Sequence, residues 1–211
     1  MRPISKPEHA HIDKKPVHRS LRTVFMRGVR GTDGILTDGV AQVAFIGRSN
    51  AGKSSTINML LGDKVAKTSA MPGKTVEINV FDVTEEDGGH WRVLDLPGYG
   101  FSKVREKERE RLRKMIIWFL AASGADPKHV VLVVDATIPP SEFDQEAVTV
   151  CTETKHPVII LANKIDRLNQ SERIHSLRRL HDAYPTLPII PFSAKKGEGK
   201  DEALALLFPR A

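Results

Sequence analysis

The residues that most clearly carry chemistry form a glycine-rich segment, 47–54, which matches the pattern G-x-x-x-x-G-K-[ST]. Gly47 and Gly52 let the backbone curl so that successive N–H groups can point at phosphate oxygens. Lys53 can reach the outer phosphates of a nucleotide, and the Ser54 hydroxyl can bind Mg²⁺. The segment therefore predicts a phosphate-binding loop, and the alternative is a chance glycine turn.

The flanking sequence favours the phosphate-binding loop. The apolar run 43–46 is typical of a buried strand, and 55–62 is typical of a helix that ends at a glycine. The motif requires this order of strand, loop and helix, because the loop then lies at the positive end of the helix dipole. That context disfavours a chance glycine turn.

A second motif, 163–166, reads Asn-Lys-Ile-Asp and follows another apolar run, 158–162. N-K-x-D after a strand is the guanine-binding motif of GTPases. The Asp166 carboxylate can accept from N1–H and the 2-amino group of guanine, whereas adenine offers neither donor there. The aliphatic stem of Lys164 can lie over the base, and Asn163 is expected to brace the phosphate-binding loop. The motif therefore predicts guanine selectivity.

Three further pieces lie in the order that a GTPase requires. In the D-x-x-G segment that follows 91–94, Asp95 can hold Mg²⁺ through water and the Gly98 N–H can contact the γ-phosphate. Thr75 can close onto Mg²⁺ only when the γ-phosphate is present, which makes a switch. The backbone of the Ser-Ala-Lys segment 193–195 can contact guanine O6. Singly, Thr75 or the serine would be an ordinary turn residue, but the ordered set predicts a GTP-binding site.

The elements that must position these residues alternate between strands and helices, which predicts an α/β fold. Predicted strands are 41–47, 76–83, 90–95, 129–135, 157–163 and 187–191, and predicted helices are 53–62, 104–122, 141–153, 168–183 and 200–208. A hairpin signal at 84–89 joins two of the strands. We therefore expect a P-loop GTPase fold with a mostly parallel six-stranded sheet, one antiparallel edge strand and helices on both faces. All the motifs then lie at the carboxyl ends of strands.

The motif sequences closely resemble those of the EngB-type GTPases, small bacterial GTP-binding proteins of the translation-factor-like class. The resemblance rests on Gly-Arg-Ser-Asn-Ala-Gly-Lys-Ser-Ser at 47–55, Thr-Ser-Ala-Met-Pro-Gly-Lys-Thr at 68–75 and Asp-Leu-Pro-Gly-Tyr-Gly-Phe at 95–101. It covers about residues 20–208. It implies a cytoplasmic GTPase that acts in assembly of the large ribosomal subunit and is linked to normal cell division and septation. Members often carry Thr where this chain has Asn163, a departure that strengthens the expected guanine selectivity.

The resemblance also implies which residues contact the nucleotide. They are Gly47, Arg48, Ser49, Asn50, Ala51, Gly52, Lys53, Ser54, Gly73, Lys74, Thr75, Val76, Glu77, Asp95, Leu96, Pro97, Gly98, Asn163, Lys164, Ile165, Asp166, Phe192, Ser193 and Ala194. The expected cofactor is Mg²⁺, with Ser54 and Thr75 as its ligands, and the expected nucleotides are GTP and GDP. The residues expected to act in catalysis are Lys53, Asn50, Thr75 and Gly98.

The residue after D-x-x-G bears on the rate of GTP hydrolysis. Many GTPases have a glutamine there that positions the attacking water, whereas this chain has Tyr99, so we expect slow intrinsic hydrolysis. GTPases with an asparagine at the position of Asn50 often bind K⁺ between the α- and γ-phosphates in place of an arginine finger. Asn50 either does the same here or only caps or braces the loop. Arg48 is either an internal arginine finger or a partner in a surface salt bridge.

Composition indicates one globular GTP-binding domain, 21–211, preceded by a disordered basic arm, 1–20. The chain has 211 residues, of which 40% are hydrophobic and 27% charged. It contains no apolar run near the roughly 18 residues that a membrane-spanning helix needs, and the arm has no apolar region typical of a secretory signal. The lone Cys151 is expected to be a small core residue on a helix and fits a reducing cytoplasm. We expect no membrane partner, and without heptads or a disulfide framework we expect a monomer.

The basic charge indicates the kind of partner. The net charge is +6, and seven basic residues lie directly after D-x-x-G: Lys103, Arg105, Lys107, Arg109, Arg111, Arg113 and Lys114. Glutamates interrupt them, so the stretch is either a solvated helix with i,i+4 charge pairs or a surface that contacts rRNA. More basic residues could extend such a surface: Arg167, Arg173, Arg178, Arg179 and the arm. The expected partner is therefore the large ribosomal subunit or its precursor.

Two other functions compete with a ribosomal switch. A septum-formation GTPase could act through a protein partner rather than rRNA, although the basic charge favours RNA. A metabolic kinase could use the phosphate-binding loop, but the guanine-binding motif at 163–166 disfavours it.

Overall fold

A seven-stranded sheet organises the part of the chain that the computed structural model describes, namely residues 21–62, 65–66, 77–86, 88–100 and 106–209. Its strands are β1 (Leu21–Val29), β2 (Ala41–Gly47), β3 (Ile78–Glu85), β4 (His90–Asp95), β5 (His129–Asp135), β6 (Val158–Asn163) and β7 (Ile189–Pro191). The same residues contain five α-helices, α1 (Lys53–Leu61), α2 (Glu106–Ala122), α3 (Glu142–Glu153), α4 (Gln170–Ala183) and α5 (Lys200–Leu207). Two short 3₁₀ turns lie at Gly34–Leu36 and Ile165–Arg167.

The strand order is β1-β3-β4-β2-β5-β6-β7. From β4 to β7 the paired strands are parallel, whereas β3 runs antiparallel to both β4 and β1. The predicted α/β fold with a mostly parallel sheet is confirmed. The expected number of strands, six, is too low, because β1 pairs with the outer side of β3 and takes the edge of the sheet.

The strand β1 was not expected because its sequence does not alternate. Val24, Phe25 and Met26 follow one another and are 46%, 52% and 45% exposed. The pairing with β3 is also irregular between Phe25 and Arg27, where a bulge shifts the register. The strand forms through its pairing with β3, which is a tertiary contact that local sequence patterns do not reveal.

The helix boundaries agree with the sequence prediction to within two residues, because capping signals set them. α1 ends at Gly62, which has a left-handed φ of 81° and donates its N–H to the carbonyl of Asn58. Capping boxes begin α3, between Ser141 and Asp144, and α4, between Asn169 and Glu172. Within the described parts of the chain, no helix has both the length and the apolar character needed to cross a membrane.

Helices cover both faces of the sheet, as predicted. One apolar cluster joins the sheet to α1 and α5 through Ile57, Leu60, Ala203, Leu204 and Leu207. The other joins it to α2, α3 and α4 through Ile116, Phe119, Ala147, Cys151 and Leu180. Cys151 is a fully buried core residue of α3, as expected, and burial raises the pKa of its thiol to about 12. A thiol in that state is unreactive at neutral pH.

Parallel pairing brings the chemically important residues to one edge of the sheet. β2 ends at Gly47, β4 at Asp95, β5 at Asp135 and β6 at Asn163. Three of the sequence motifs begin at these strand ends, and in an open α/β sheet this is the edge where ligands bind.

A buried arginine links β4 to neighbouring segments at the other end of the strand. Arg92 is 7% exposed, and its Nε lies 2.9 Å from Oδ1 of Asp82. Its Nη1 donates to the carbonyl of Ile35 at 2.8 Å and also binds the carboxylate of Asp38. Burial alone would raise the pKa of Asp38, but the hydrogen bond from Arg92 helps to lower it on balance. Arg92 therefore holds the segment before β2 against β3 and β4.

Removal of this guanidinium should destabilise the fold. We expect Arg92→Met to lower the free energy of unfolding by about 3 kcal/mol, because two carboxylates and a carbonyl lose their shared donor. Urea unfolding at neutral pH measures the change. Arg22→Met, in the exposed part of β1, is the control and should stay within about 0.5 kcal/mol of the parent. Equal stability of the two variants would contradict a structural role for Arg92.

Candidate nucleotide-binding site

The loop between β2 and α1 needs its two glycines because other residues press against them. A β-carbon at Gly47 would lie 2.5 Å from the carbonyl oxygen of Val133, and one at Gly52 would lie 2.2 Å from Nδ2 of Asn163. Gly52 also has a left-handed φ of 96° and, as the N-cap of α1, provides no side-chain cap. The first-turn N–H groups of α1 are therefore suited to an anion such as phosphate.

The lysine of this loop faces the aspartate at the end of β4. The Nζ of Lys53 donates to Oδ1 of Asp95, and the two side chains are 8% and 7% exposed. Gly98 lies close to the loop as well, since a β-carbon there would be 3.1 Å from Oγ of Ser49. The structure thus brings together the two segments that were expected to bind the outer phosphates.

The oxygen donors near this pair fit Mg²⁺. Mg²⁺ prefers oxygen ligands, and nucleotide sites hold it with one or two protein groups together with phosphate oxygens. The hydroxyl of Ser54 lies on the first turn of α1, and Asp95 supplies a carboxylate at the adjacent strand end. Among the described residues there is no group of three or more His, Cys, Asp or Glu side chains that could hold a metal by itself. This donor set therefore suits Mg²⁺ that is shared with a nucleotide.

Asn163 joins three of the motifs. Its side-chain Nδ2 donates to the carbonyl of Ala51 at 2.8 Å, and its Oδ1 accepts from the N–H of Ala194 at 3.0 Å. Asn163 is only 2% exposed. Its amide therefore holds the phosphate-binding loop and the segment after β7 at fixed positions relative to β6.

The expected guanine-binding carboxylate is held by the segment after β7. The hydroxyl of Ser193 donates to Oδ1 of Asp166 at 2.7 Å, and Ser193 itself is fully buried. The N–H of Ile165 donates to the carbonyl of Phe192 at 3.3 Å. Asp166 is only partly buried, so its carboxylate is oriented from one side and accessible from the other. This arrangement suits recognition of N1–H and the 2-amino group of guanine.

The structure adds Asp135, a residue that the sequence analysis did not identify. The Nζ of Lys164 lies 2.5 Å from Oδ2 of Asp135 and 2.5 Å from the carbonyl oxygen of Asn50. Burial opposes ionisation of Asp135, but hydrogen bonds from Lys164 and Thr137 outweigh it and lower its pKa. The available signal was an acidic residue at the end of a buried strand parallel to β6.

Part of the predicted switch lies outside the described residues, namely Gly73, Lys74, Thr75 and Val76. Glu77 is described, and its Oε1 accepts from Nε of Arg30 at 2.8 Å. The same carboxylate covers Gly28, because a β-carbon there would lie 2.1 Å from Oε2 of Glu77. The side chain of Glu77 therefore contacts β1 and its extension.

Tyr99 is held on both sides by hydrogen bonds and by packing. Its N–H donates to the carbonyl of Gly47 at 3.4 Å, and its carbonyl accepts from the N–H of Ser49 at 2.6 Å. Its hydroxyl donates to Asp144, and its ring packs edge-on against Phe143 at 4.4 Å between centroids. Burial, with the nearby charge of Asp144, raises the pKa of Tyr99 well above its usual value.

The side chain of Arg48 lies near Gly100, the residue after Tyr99. It forms no ion pair with any described residue. Its Nε would lie 3.3 Å from a β-carbon at Gly100. Of the two alternatives for Arg48, a surface salt bridge is therefore not found within the described part of the chain.

The chain is similar to known GTP-binding proteins. The family described as 50S ribosome-binding GTPase matches residues 42–164. A probable GTP-binding protein EngB from Mycoplasma pneumoniae is 38% identical over 156 residues, which span 74% of this chain and 77% of that protein. The crystal structure of a probable GTP-binding protein EngB gives a TM-score of 0.61 at 26% identity, covering 79% of this chain and 95% of that one. Era, in complex with MgGDPNP and nucleotides 1506–1542 of 16S ribosomal RNA, gives a TM-score of 0.66 at 28% identity, covering 82% of this chain and 58% of that one.

Removal of the Tyr99 hydroxyl tests whether this group has a structural or a catalytic role. Tyr99→Phe should lower the free energy of unfolding by about 1–3 kcal/mol, because the buried Asp144 loses a donor. The rate of GTP hydrolysis should be unchanged, because the hydroxyl is buried and engaged with Asp144. Chemical denaturation and single-turnover hydrolysis measure the two quantities.

The matched control is Tyr184→Phe. The hydroxyl of Tyr184 is buried and has no hydrogen-bond partner among the described residues, so its removal should leave stability unchanged or slightly higher. A large fall in the hydrolysis rate of Tyr99→Phe, with its stability intact, would show that the hydroxyl takes part in catalysis.

Proposed function

This chain belongs to the EngB family of GTP-binding proteins, and on that premise we propose that it is a GTP-controlled switch in assembly of the large ribosomal subunit. Membership of the family means that the chain binds GTP and GDP and hydrolyses GTP. The nature of its partner, its metal ions and its rate of hydrolysis belong to the proposal.

The loop between β2 and α1 is the phosphate-binding part of the switch. The N–H groups of 47–54 and the first turn of α1 bind the phosphates, and Lys53 neutralises charge on the outer ones. Ser54 and Thr75 would hold Mg²⁺, and Asp95 would add a nearby carboxylate. When bound, Mg²⁺ neutralises charge that develops on the phosphate oxygens. A similar fold in Era was solved with MgGDPNP, which supports the metal.

Hydrolysis of GTP by this chain alone is slow. Phosphoryl transfer depends on positioning and on stabilisation of charge, so an enzyme that does not position the attacking water is slow. Tyr99 is buried at the position where such a group is often found. The Gly98 N–H can still contact the γ-phosphate, but further help must come from an ion or from the partner. We therefore propose a low intrinsic rate.

Asn50 is a candidate ligand for a K⁺ ion that supplies this help. It is exposed, has a left-handed φ of 70°, and its side chain forms no hydrogen bond with the described residues. A bracing role within the loop would require such a hydrogen bond. Its backbone carbonyl is taken by Lys164, which leaves the side-chain amide oxygen for an ion.

Turnover in K⁺ and in Na⁺ at equal ionic strength tests the ion. We expect faster GTP hydrolysis in K⁺ for the parent chain. Asn50→Gly should bring the ratio of the two rates close to one, because glycine accepts the left-handed backbone but supplies no oxygen ligand. Equal rates in the two salts for the parent would exclude this role for K⁺ and leave Asn50 as a loop residue.

The observation that carries the proposed partner is an exposed basic surface directly after the D-x-x-G segment. The described part of this α2 basic surface consists of Lys107, Arg109, Arg111, Arg113 and Lys114, all of them exposed. Arg113 pairs with Glu146 on α3, and Lys114 lies 3.8 Å from Glu110. Lys107, Arg109 and Arg111 form no ion pair with the described residues. Charge pairing within the helix therefore accounts for only part of the surface, and the remainder is available to RNA phosphates.

A ribosomal partner also accounts for the other expected properties. Contact with a ribosomal particle implies a cytoplasmic location, and a monomer suffices for it. A link with cell division and septation then follows from the supply of ribosomes. The family description of 50S ribosome-binding GTPase supports the large subunit as the partner.

Co-sedimentation with purified ribosomal subunits tests this function. We expect the protein to pellet with the large subunit when it carries a non-hydrolysable GTP analogue, and less so with GDP or without nucleotide. Lys107→Gln combined with Arg111→Gln, which lie one turn apart on the same side of α2, should weaken association and reduce the magnitude of its salt slope by about one for each lost phosphate contact.

The matched control is Lys128→Gln combined with Lys155→Gln. Both lysines are exposed and precede β5 and β6, at the edge of the sheet opposite to the nucleotide site. This variant loses the same charge and should bind like the parent. Binding in no nucleotide state, with GDP affinity intact, would contradict the ribosomal role and favour a septal protein partner.

A further inference from the structure

The side chain of Lys164 spans from the guanine-binding motif to the phosphate-binding loop. Its Nζ lies 2.5 Å from both the carbonyl oxygen of Asn50 and Oδ2 of Asp135. The side chains of Lys164 and Asp135 are only 18% and 14% exposed. A lysine this buried keeps its ammonium in place through a charged partner, and here that partner comes from β5.

Asp135 is itself oriented by the residues that follow it. Its Oδ1 accepts from the N–H of Thr137 at 3.0 Å and from the hydroxyl of Thr137 at 2.6 Å. Those two hydrogen bonds occupy one oxygen, so that the other oxygen, Oδ2, faces Lys164. The hydrogen bonds also help to lower the pKa of Asp135, which keeps the carboxylate ionised at neutral pH.

The backbone of Lys164 has an unfavourable conformation that its contacts must stabilise. Lys164 has a left-handed φ of 69°, a conformation that a residue with a β-carbon adopts only when its surroundings impose it. It is also the N-cap of the 3₁₀ turn Ile165–Arg167, which carries Asp166. Pairing of Asp135 with Asn163 in neighbouring strands places the carboxylate beside this turn. A contact at the end of Lys164 therefore acts on the segment that is expected to contact the base.

We propose that Asp135 is a positioning residue for guanine-nucleotide binding: it holds the ammonium of Lys164 so that the aliphatic stem stays across the base site. The same contact keeps the ammonium on the carbonyl of Asn50 and so connects the base site with the phosphate-binding loop. The proposal needs only the guanine-nucleotide binding that the family membership gives, and it is independent of the ribosomal partner.

A purely structural role for Asp135 would rest on its hydrogen bonds with Thr137. The hydrogen bonds with Thr137 use Oδ1 of Asp135, whereas the contact with Lys164 uses Oδ2. Asp135→Asn can therefore remove the contact with Lys164 alone. An asparagine can keep its Oδ1 on Thr137, but its NH₂ group then faces Lys164 and cannot accept from the ammonium. The turn is therefore preserved while the contact with Lys164 is lost.

The experiment is a double-mutant cycle on GDP affinity with Asp135→Asn and Lys164→Met. Methionine keeps an apolar stem of similar length and removes the ammonium. We expect Asp135→Asn alone to weaken GDP binding about tenfold, the scale of one lost charge-assisted hydrogen bond. In the Lys164→Met background the same change should have less than about a twofold effect, because the two residues act as a unit.

Asp126→Asn is the matched control, since it removes an equal charge at an exposed position just before β5 and should leave GDP affinity unchanged. Thermal unfolding of the nucleotide-free variants separates lost stability from lost affinity. The proposal is overturned if Asp135→Asn weakens GDP binding by the same factor in both backgrounds. It is equally overturned if Asp135→Asn lowers only the melting temperature and leaves affinity unchanged.

Discussion

The nucleotide site depends on one buried side-chain amide, that of Asn163. Its two polar atoms bind the carbonyl of Ala51 and the N–H of Ala194, so segments after three different strands are held together. The contact is close enough that only a glycine fits at position 52. Because the amide is almost completely buried, loss of either hydrogen bond would leave a polar atom without water to replace it. The loop is therefore held by hydrogen bonds within the protein, and a loop fixed in this way has a lower entropic cost of binding.

Buried lysine–carboxylate pairs occur at both ends of this site. Lys53 binds Asp95 near the expected position of the outer phosphates, and Lys164 binds Asp135 near the expected position of the base. In each pair the lysine and the carboxylate come from segments associated with different strands, so the charges remain compensated although little water reaches them. The ammonium of Lys53 thus links the phosphate-binding loop to the D-x-x-G segment that Asp95 begins.

Tyr99, which directly follows that segment, fixes its end in the fold. It pairs with the backbone of the phosphate-binding loop on one side and with Asp144 of the α3 capping box on the other. Phe143 and Arg113 continue this contact to α2, since the guanidinium lies 5.8 Å from the ring centroid and also binds Glu146. The buried tyrosine thus connects the nucleotide loop to α3 and, through Phe143, to the α2 basic surface.

The α/β class, the helix boundaries and the places of the motifs could be predicted from the sequence, because they depend on local signals. The capping boxes, Gly62 at the end of α1 and the apolar runs before each motif all act within a few residues. The other features depend on contacts that form only in the folded chain. The strand β1 exists through its pairing with β3, Tyr99 is buried because α3 supplies Asp144, and Asp135 meets Lys164 because β5 lies beside β6. Such contacts join residues far apart in the chain, and no pattern of neighbouring residues encodes which of them will meet.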